Sequence, residues 1–369
     1  MIVIVLGTRA ELIKTFPVML ELQKKKISYK FIHTGQHSLG DLCDKFGVNK
    51  PDLILSKEPK TSTKFYTKVP KAIFWNSWMV LKLWKTLWKI KDLDYIIYHG
   101  DTMTTAAIAI ASSKLFNPFK KYKNVHLEAG LRSGSLMEPF PEEISRRIAD
   151  RFSDILLAVS DRSENNLKKS KLSGEIIKVG NTVVDSIEIA HKLALKRKLK
   201  PLSKKKFALI SIHRHENIKN KERLENIVEI LSKVNTLSYF SLHDNTKLKL
   251  MDFGLYDKLK SNPNIKIVDP MDYVEYSFQM KHCDFLITDG GSIQEESLVF
   301  KKPCVILRKF TERQEGIGTG INFLTKLDVN ESVEIIKLIE NGKINVGKFK
   351  NPYGQAGVSK EIVRRLMKK

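Results

Sequence analysis

Ten short apolar runs punctuate this chain, and longer stretches of helical period separate them. The runs are Ile2–Leu6, Tyr29–His33, Tyr95–Tyr98, Val125–Leu127, Ile155–Val159, Phe207–Ile212, Leu237–Leu242, Ile265–Val268, Phe285–Ile287 and Cys304–Leu307. Continuous Val, Ile and Leu without polar alternation marks strands covered on both faces, the signature of parallel sheets built from βαβ units. The chain has 369 residues, too many for one ordinary core and enough for two. A lysine-heavy stretch, His191–Lys206, contains Pro201 and precedes a fresh strand. It reads as the connection between two α/β domains, residues 1–187 and 188–369. The last segment, about 353–369, is expected to pack back on the first domain.

Composition narrows the function. The formal charge is +23, but 51 of the basic residues are Lys and 13 are Arg. Readers of nucleic acid rely on Arg for bidentate and stacked contacts, whereas lysines spread along helices are mostly solvated surface. No nucleic-acid partner is expected, though attraction to an anionic substrate is. Cys43, Cys283 and Cys304 are scattered and odd in number, which excludes a disulfide scaffold and suits a reducing cytoplasm. The opening MIVIVLGTRAELIK has no basic region ahead of its apolar stretch and reads as a strand, not a leader.

Chemistry-bearing residues collect just after the strands, in GTRAELIK, HTGQH, HGDTMTT, HLEAGLRS, HRHEN, TDGGSIQEES and RKFTERQEG. The carboxyl ends of parallel strands are where ligands bind in open α/β sheets. Neither G-x-G-x-x-G after a strand nor G-x-x-x-x-G-K-[ST] occurs, which argues against bound NAD and against a P-loop. Gly290, Gly291 and Ser292 open a helical pattern, so their amides can face an anion. Arg9, Lys14, Arg308 and Arg313 follow other strands, and together this set suits a diphosphate. A plain Gly-rich turn flanked by solvated basics is the simpler alternative. Asp101 lies in HGDT, Glu128 in HLEAG, and Glu142 and Glu143 in PFPEE. Crowded carboxylates acquire divergent pKa values, so one can act as base and another as acid. Asp101 could equally be a helix N-cap, and Glu142 or Glu143 could complement the dipole of a helix start. His213 and His215 have a spacing that zinc can use, but no third ligand is evident and no metal is expected.

In order along the chain, GTR-x-E-x-IK, TGQH, HGDT, H-x-EAGLRS, PEE-x-x-RR, VGNTVVDS, HR-x-EN, TDGGSIQEE, TER-x-EG and NPYG resemble the non-hydrolysing UDP-N-acetylglucosamine 2-epimerases. The resemblance implies two Rossmann-like domains of the GT-B type with the active site in the interdomain cleft. It implies reversible epimerisation at C2 of UDP-N-acetylglucosamine to UDP-N-acetylmannosamine, by elimination of UDP to 2-acetamidoglucal and re-addition. No cofactor is implied, a cytoplasmic homodimer is, and the product would supply surface polysaccharide or glycan synthesis. The chemistry fits the residues. A C2 proton with no adjacent carbonyl needs either transient oxidation or departure of the anomeric diphosphate. The second route needs carboxylates on both faces and cations for the leaving group.

By the same resemblance Asp101, Glu128, Glu142 and His213 are catalytic, and Arg9, Lys14, Arg146, Gly290, Gly291, Ser292, Glu296 and Arg313 bind substrate. Gln36, His37, Arg214 and His243 match part of an allosteric UDP-sugar site. The chain departs from the family at Ala10, where proline is usual, and at Gly290–Ser292, where Ser-Gly-Gly is usual. A diacetamido-uronic acid substrate or a GT-B glycosyltransferase are the alternative activities. All four tryptophans, Trp75, Trp78, Trp84 and Trp88, fall among Lys82, Lys85 and Lys89. The expectation is a helix that buries its Trp face and keeps its lysines wet, with no peripheral membrane contact.

Overall fold

A computed structural model describes every residue except 36–37, 57–64, 136–137, 345, 348 and 369, and gives 65–73 as backbone only. The chain forms two compact units, Met1–Ser186 with Tyr353–Lys369, and Ile187–Pro352. The change of unit falls inside the helix Val183–Lys196, so the first residues of the lysine-rich stretch are helical.

The first unit holds strands β1 (Ile2–Leu6), β2 (Tyr29–His33), β3 (Leu53–Ile54), β4 (Tyr95–His99), β5 (Lys123–Ala129), β6 (Ile155–Ala158) and β7 (Glu175–Lys178). They pair in parallel in the order β3-β2-β1-β4-β5-β6-β7. The second unit holds β8 (Ala208–Ser211), β9 (Ser238–Ser241), β10 (Ile265–Val268), β11 (Phe285–Thr288), β12 (Cys304–Ile306) and β13 (Asn322–Leu324). Its parallel order is β10-β9-β8-β11-β12-β13. In both sheets the connections reverse direction between the first strand and the fourth. That leaves a crevice beyond the carboxyl ends of β1 and β4, and another beyond β8 and β11.

Three strands escaped the apolar-run reading: β3, β7 and β13. All three are sheet edges. β3 is exposed, and β7 runs Glu-Ile-Ile-Lys with exposed ends. Edge strands are kept short and polar, which removes the continuous apolar run that reveals a central strand. The central strands β1, β4, β5, β8, β11 and β12 are buried almost throughout.

The final helix, Val358–Met367, packs against the first, Arg9–Lys24. Its entry is pinned within the same unit. Asn181 N–H donates to the Tyr353 carbonyl at 3.0 Å. The Asp185 carboxylate accepts from the N–H groups of Gly357 and Ser359, both at 2.6 Å.

The helix Phe65–Leu87 covers the sheet only in part with its aromatic residues. Trp75 and Trp84 pack on the core made by Val3, Val5, Met79, Leu83 and Tyr98. Trp78 and Trp88, expected to be buried, are 39% and 72% exposed. Residues 84 and 88 share a helix face and their rings meet with centroids 5.5 Å apart, but Trp88 lies just past the helix end at Leu87 and stays largely exposed. Among the described residues no helix is long and apolar enough to cross a membrane.

Candidate functional site

In the first unit the loops after β1 and β4 flank the crevice, and a buried carboxylate ties them together. Thr8 caps the first helix, and Glu11 closes the capping box. Glu11 accepts from the N–H groups of Gly7 and Thr8 at 2.7 Å. Its other oxygen accepts from the hydroxyls of Thr102 at 2.6 Å and Thr105 at 3.0 Å, in the loop and helix after β4. Burial raises the Glu11 pKa, and these donors oppose the rise. Glu11 was absent from the expected site residues, although T-x-x-E before a helix is a legible capping signal.

Glu128 occupies an irregularity in β5, where the pairing with β6 shifts between Leu127 and Ala129. Its φ is +66°, a left-handed conformation that costs a non-glycine residue about 1–2 kcal/mol and turns the side chain out of the strand's alternation. The carboxylate meets the Lys14 ammonium, both side chains being nearly inaccessible, and His99 Nε2 lies 3.8 Å from it. Burial drives the His99 pKa down to about 3, against the pull of Glu128. Lys14, expected at a diphosphate, thus joins the acid cluster. Gly130, two residues on, has φ +87°, and a Cβ there would stand 2.3 Å from the Ser163 carbonyl oxygen. Only glycine fits that close approach.

Asp101, half-buried after β4, is bound by Arg146, whose other arm holds the fully buried Glu143. Glu142 begins the same helix, Glu142–Phe152, one turn ahead of Arg146. Beneath them His126 bridges Asp150 Oδ1 at 2.9 Å and the Gly100 carbonyl at 2.8 Å. Arg132 reaches Asp150 from the other side at 2.7 Å. Burial acts to raise the Asp150 pKa, but His126 and Arg132 outweigh it and leave it below the ordinary value. Asp101 with Arg146, and Glu128 with Lys14, are thereby tied into one end of one sheet, and Glu142 starts the helix that carries Arg146. Arg9 is exposed and pairs with Asp41 at 3.0 Å. Gln36 and His37 lie outside the described residues.

The second unit repeats the device. Asp289, fully buried after β11, accepts from the N–H groups of His213 at 2.9 Å and Arg214 at 3.0 Å, and from the Asn217 amide at 3.1 Å. It fixes the loop after β8, yet the His213 side chain remains 41% exposed. His243 is exposed, its ring centroid 5.2 Å from that of His213. Gly290 and Gly291 start the helix Gly291–Phe300 with no side-chain cap, and Ser292 follows in the first turn. A Cβ at Gly291 would come within 3.0 Å of Glu312 Oε1.

Behind this helix start lies a buried charge lattice. Arg313 donates to Glu295 at 3.1 Å and also engages Glu312. Arg308 faces Glu312 at 3.1 Å, and Arg214 faces Glu216 at 3.4 Å. Glu296 is buried beside Tyr273, whose hydroxyl pKa is pushed well up by burial and by the Glu296 carboxylate. Sequence reading found the arginines but not Asp289, Glu295 or Glu312 as their organisers. Among the described residues no group of three or more His, Cys, Asp and Glu is arranged to hold a metal ion.

Comparison with known proteins gives the arrangement a lineage. The family described as UDP-N-acetylglucosamine 2-epimerase matches residues 20–367. The chain is 35% identical to a UDP-N-acetylglucosamine 2-epimerase of Methanocaldococcus jannaschii, over 98% of each. A crystal structure of a Methanocaldococcus jannaschii UDP-GlcNAc 2-epimerase in complex with UDP-GlcNAc and UDP aligns with a TM-score of 0.84 at 33% identity. That alignment covers 100% of this chain and 99% of the other. A Neisseria meningitidis UDP-GlcNAc 2-epimerase bound to UDP-GlcNAc also aligns at 0.84, with 30% identity and 100% of both chains covered. Its two parallel sheets are therefore those of the GT-B type, and the chain belongs to the UDP-N-acetylglucosamine 2-epimerase family, an epimerase by descent as well as by fold.

Proposed function

We propose that the protein interconverts UDP-N-acetylglucosamine and UDP-N-acetylmannosamine by eliminating and re-adding UDP. One carboxylate of the first unit takes the C2 proton while the anomeric C–O bond breaks, and UDP leaves with the bonding electrons. The intermediate is 2-acetamidoglucal. A second acid returns a proton to the opposite face of C2 as UDP re-adds at C1. Asp101, Glu128 and Glu142 are the acid–base candidates. Lys14 and Arg146 hold Glu128 and Asp101 in fixed orientations, the kind of positioning on which general acid–base catalysis depends. In the second unit the Gly290–Ser292 amides, with Arg313 and His213, suit the diphosphate, and Glu296 suits a ribose diol. The product would supply surface polysaccharide or glycan synthesis.

The observation that supports this reading is the pairing of Asp101 with Arg146 and of Glu128 with Lys14 at the carboxyl end of a single sheet. The test is incubation with UDP-N-acetylglucosamine in D₂O, without NAD, followed by NMR. UDP-N-acetylmannosamine should appear, with deuterium at C2 in both sugars. A requirement for added NAD, or loss of activity with a chelator, would overturn the mechanism.

A further inference from the structure

The amino ends of β4 and β5 carry a surface that the acid cluster does not use. Two loops form it, 88–94 leading into β4 and 112–122 leading into β5. Trp88 is 72% exposed, Leu115 68% and Phe119 95%. Trp88 is not a loose side chain. Its indole N–H donates to Asn117 Oδ1 at 3.0 Å, and its ring rests on Trp84 with centroids 5.5 Å apart. Between the loops lies an open hollow of about 550 Å³, with Leu87, Ile90, Leu93 and Phe116 among its walls. Large apolar groups held outward around an apolar hollow mark an interaction surface.

Charge identifies the occupant. Lys85, Lys89, Lys91, Lys114, Lys121 and Lys123 are exposed around the aromatics, against the exposed Asp92 and Asp94. Asp94 is already engaged by the amino terminus. Lys120 is withdrawn from the rim to Asp154 at 2.5 Å. A second copy meeting this patch through the same face would bring like charges together, because a two-fold contact is self-complementary. An anionic lipid surface instead satisfies both features. Lysines attract it, and Trp and Phe enter its headgroup layer.

We propose that this face docks the protein on anionic bilayers, with Trp88, Leu115 and Phe119 entering the interface and the surrounding lysines meeting lipid phosphates. The docking end leaves the acids free. β4 is five residues long, so at ~3.3 Å per residue its carboxyl end stands roughly 16 Å from the docking end. A bound bilayer then covers the amino end of the sheet and leaves its carboxyl end, where Asp101 and Glu128 lie, away from the lipid. The assignment needs no transmembrane segment and does not depend on which sugar is epimerised.

The experiment is co-sedimentation of the full chain with vesicles of phosphatidylcholine mixed with phosphatidylglycerol, and with vesicles of phosphatidylcholine alone. Binding to the mixed vesicles, absent with pure phosphatidylcholine and weakened by added salt, is the expected result. Trp88→Ala/Phe119→Ala should lower partition about tenfold or more, the scale of removing exposed aromatic groups from lipid. Phe119→Ser alone, at a side chain with almost no protein contact, should lower it without shifting the melting temperature. Lys85→Gln/Lys89→Gln/Lys121→Gln should remove the preference for phosphatidylglycerol. Three results would overturn the proposal. They are no binding to either vesicle, undiminished binding by the aromatic variants, and self-association abolished by those variants while vesicles are ignored.

Discussion

Lys14 and Glu128 form an ion pair whose side chains are 4% and 3% exposed, and replacing one partner at a time exposes what that burial implies. Lys14→Met leaves the Glu128 carboxylate without its cation, and His99, 3.8 Å away, is a poor substitute because burial holds its pKa near 3. Breaking a buried pair from one side costs about 3–5 kcal/mol, whereas removing both charges together is often close to neutral. Lys14→Met and Glu128→Gln should therefore each destabilise the first unit by about 3–5 kcal/mol at pH 7, and the double variant should recover most of that loss. The assay is built into the chain. Trp75, Trp78, Trp84 and Trp88 all lie in the first unit, so tryptophan fluorescence in urea follows that unit alone. A cost below about 1 kcal/mol for the single variants would make this pair energetically equivalent to a surface salt bridge. Strictly additive losses in the double variant would equally refute the reasoning.

Other outcomes follow from the same contacts. Asp101→Asn, Glu128→Gln and Glu142→Gln should each lower turnover ~10²–10⁴-fold, with UDP binding by calorimetry retained in Glu142→Gln; near-normal turnover in any of them removes that residue from the chemistry. His99, with a folded pKa of about 3 against an ordinary 6.5, refuses a proton that the unfolded chain accepts. Its contribution is whole above pH 6.5 and falls by about 1.4 kcal/mol per unit as pH drops toward 3, so His99→Gln should flatten the stability profile between pH 6.5 and 4, and an unchanged slope would contradict this. Arg313→Ala should weaken UDP binding by ~1.5–3 kcal/mol, and unaltered affinity would exclude Arg313 from the nucleotide site. Gly130→Ala should cost more than about 2 kcal/mol, from the left-handed backbone and the Ser163 carbonyl together, and a parent-like urea midpoint would show that the loop relaxes.

The central strands were legible because both faces of a parallel sheet demand apolar side chains, and each run such as Ile2–Leu6 or Phe285–Ile287 has no polar break. The edges were not, because β3 and β13 bury too little to leave a pattern. Candidate site residues were legible where a chemical group stands at or just past the carboxyl end of a strand, as Glu128 and Asp101 do. Their organisers were less so. Asp289 acts on His213 and Arg214, some 75 residues earlier, and nothing in the spacing of TDGG announces that reach. Helical period predicted that tryptophans would share faces, but it carries no information on where the helix stops. Trp88 lies one residue past that stop, and although its ring still meets Trp84 it is left 72% exposed.

The first unit is completed by residues from the far end of the chain, and on a ribosome this becomes a matter of order in time. Translation delivers Ile187–Pro352 between the two parts of the first unit, a delay on the order of ten to thirty seconds at ordinary elongation rates. Throughout that interval the helix bearing Glu11 and Lys14 lacks Val358–Met367 as its cover, and the second unit is complete before that cover is made. A nascent chain thus carries a finished middle and an unsealed beginning, and the face of Arg9–Lys24 is the surface a chaperone would meet. The same order makes the final helix a quality check: a message cut short between the second unit and this helix yields a chain whose acid cluster rests on an uncovered helix.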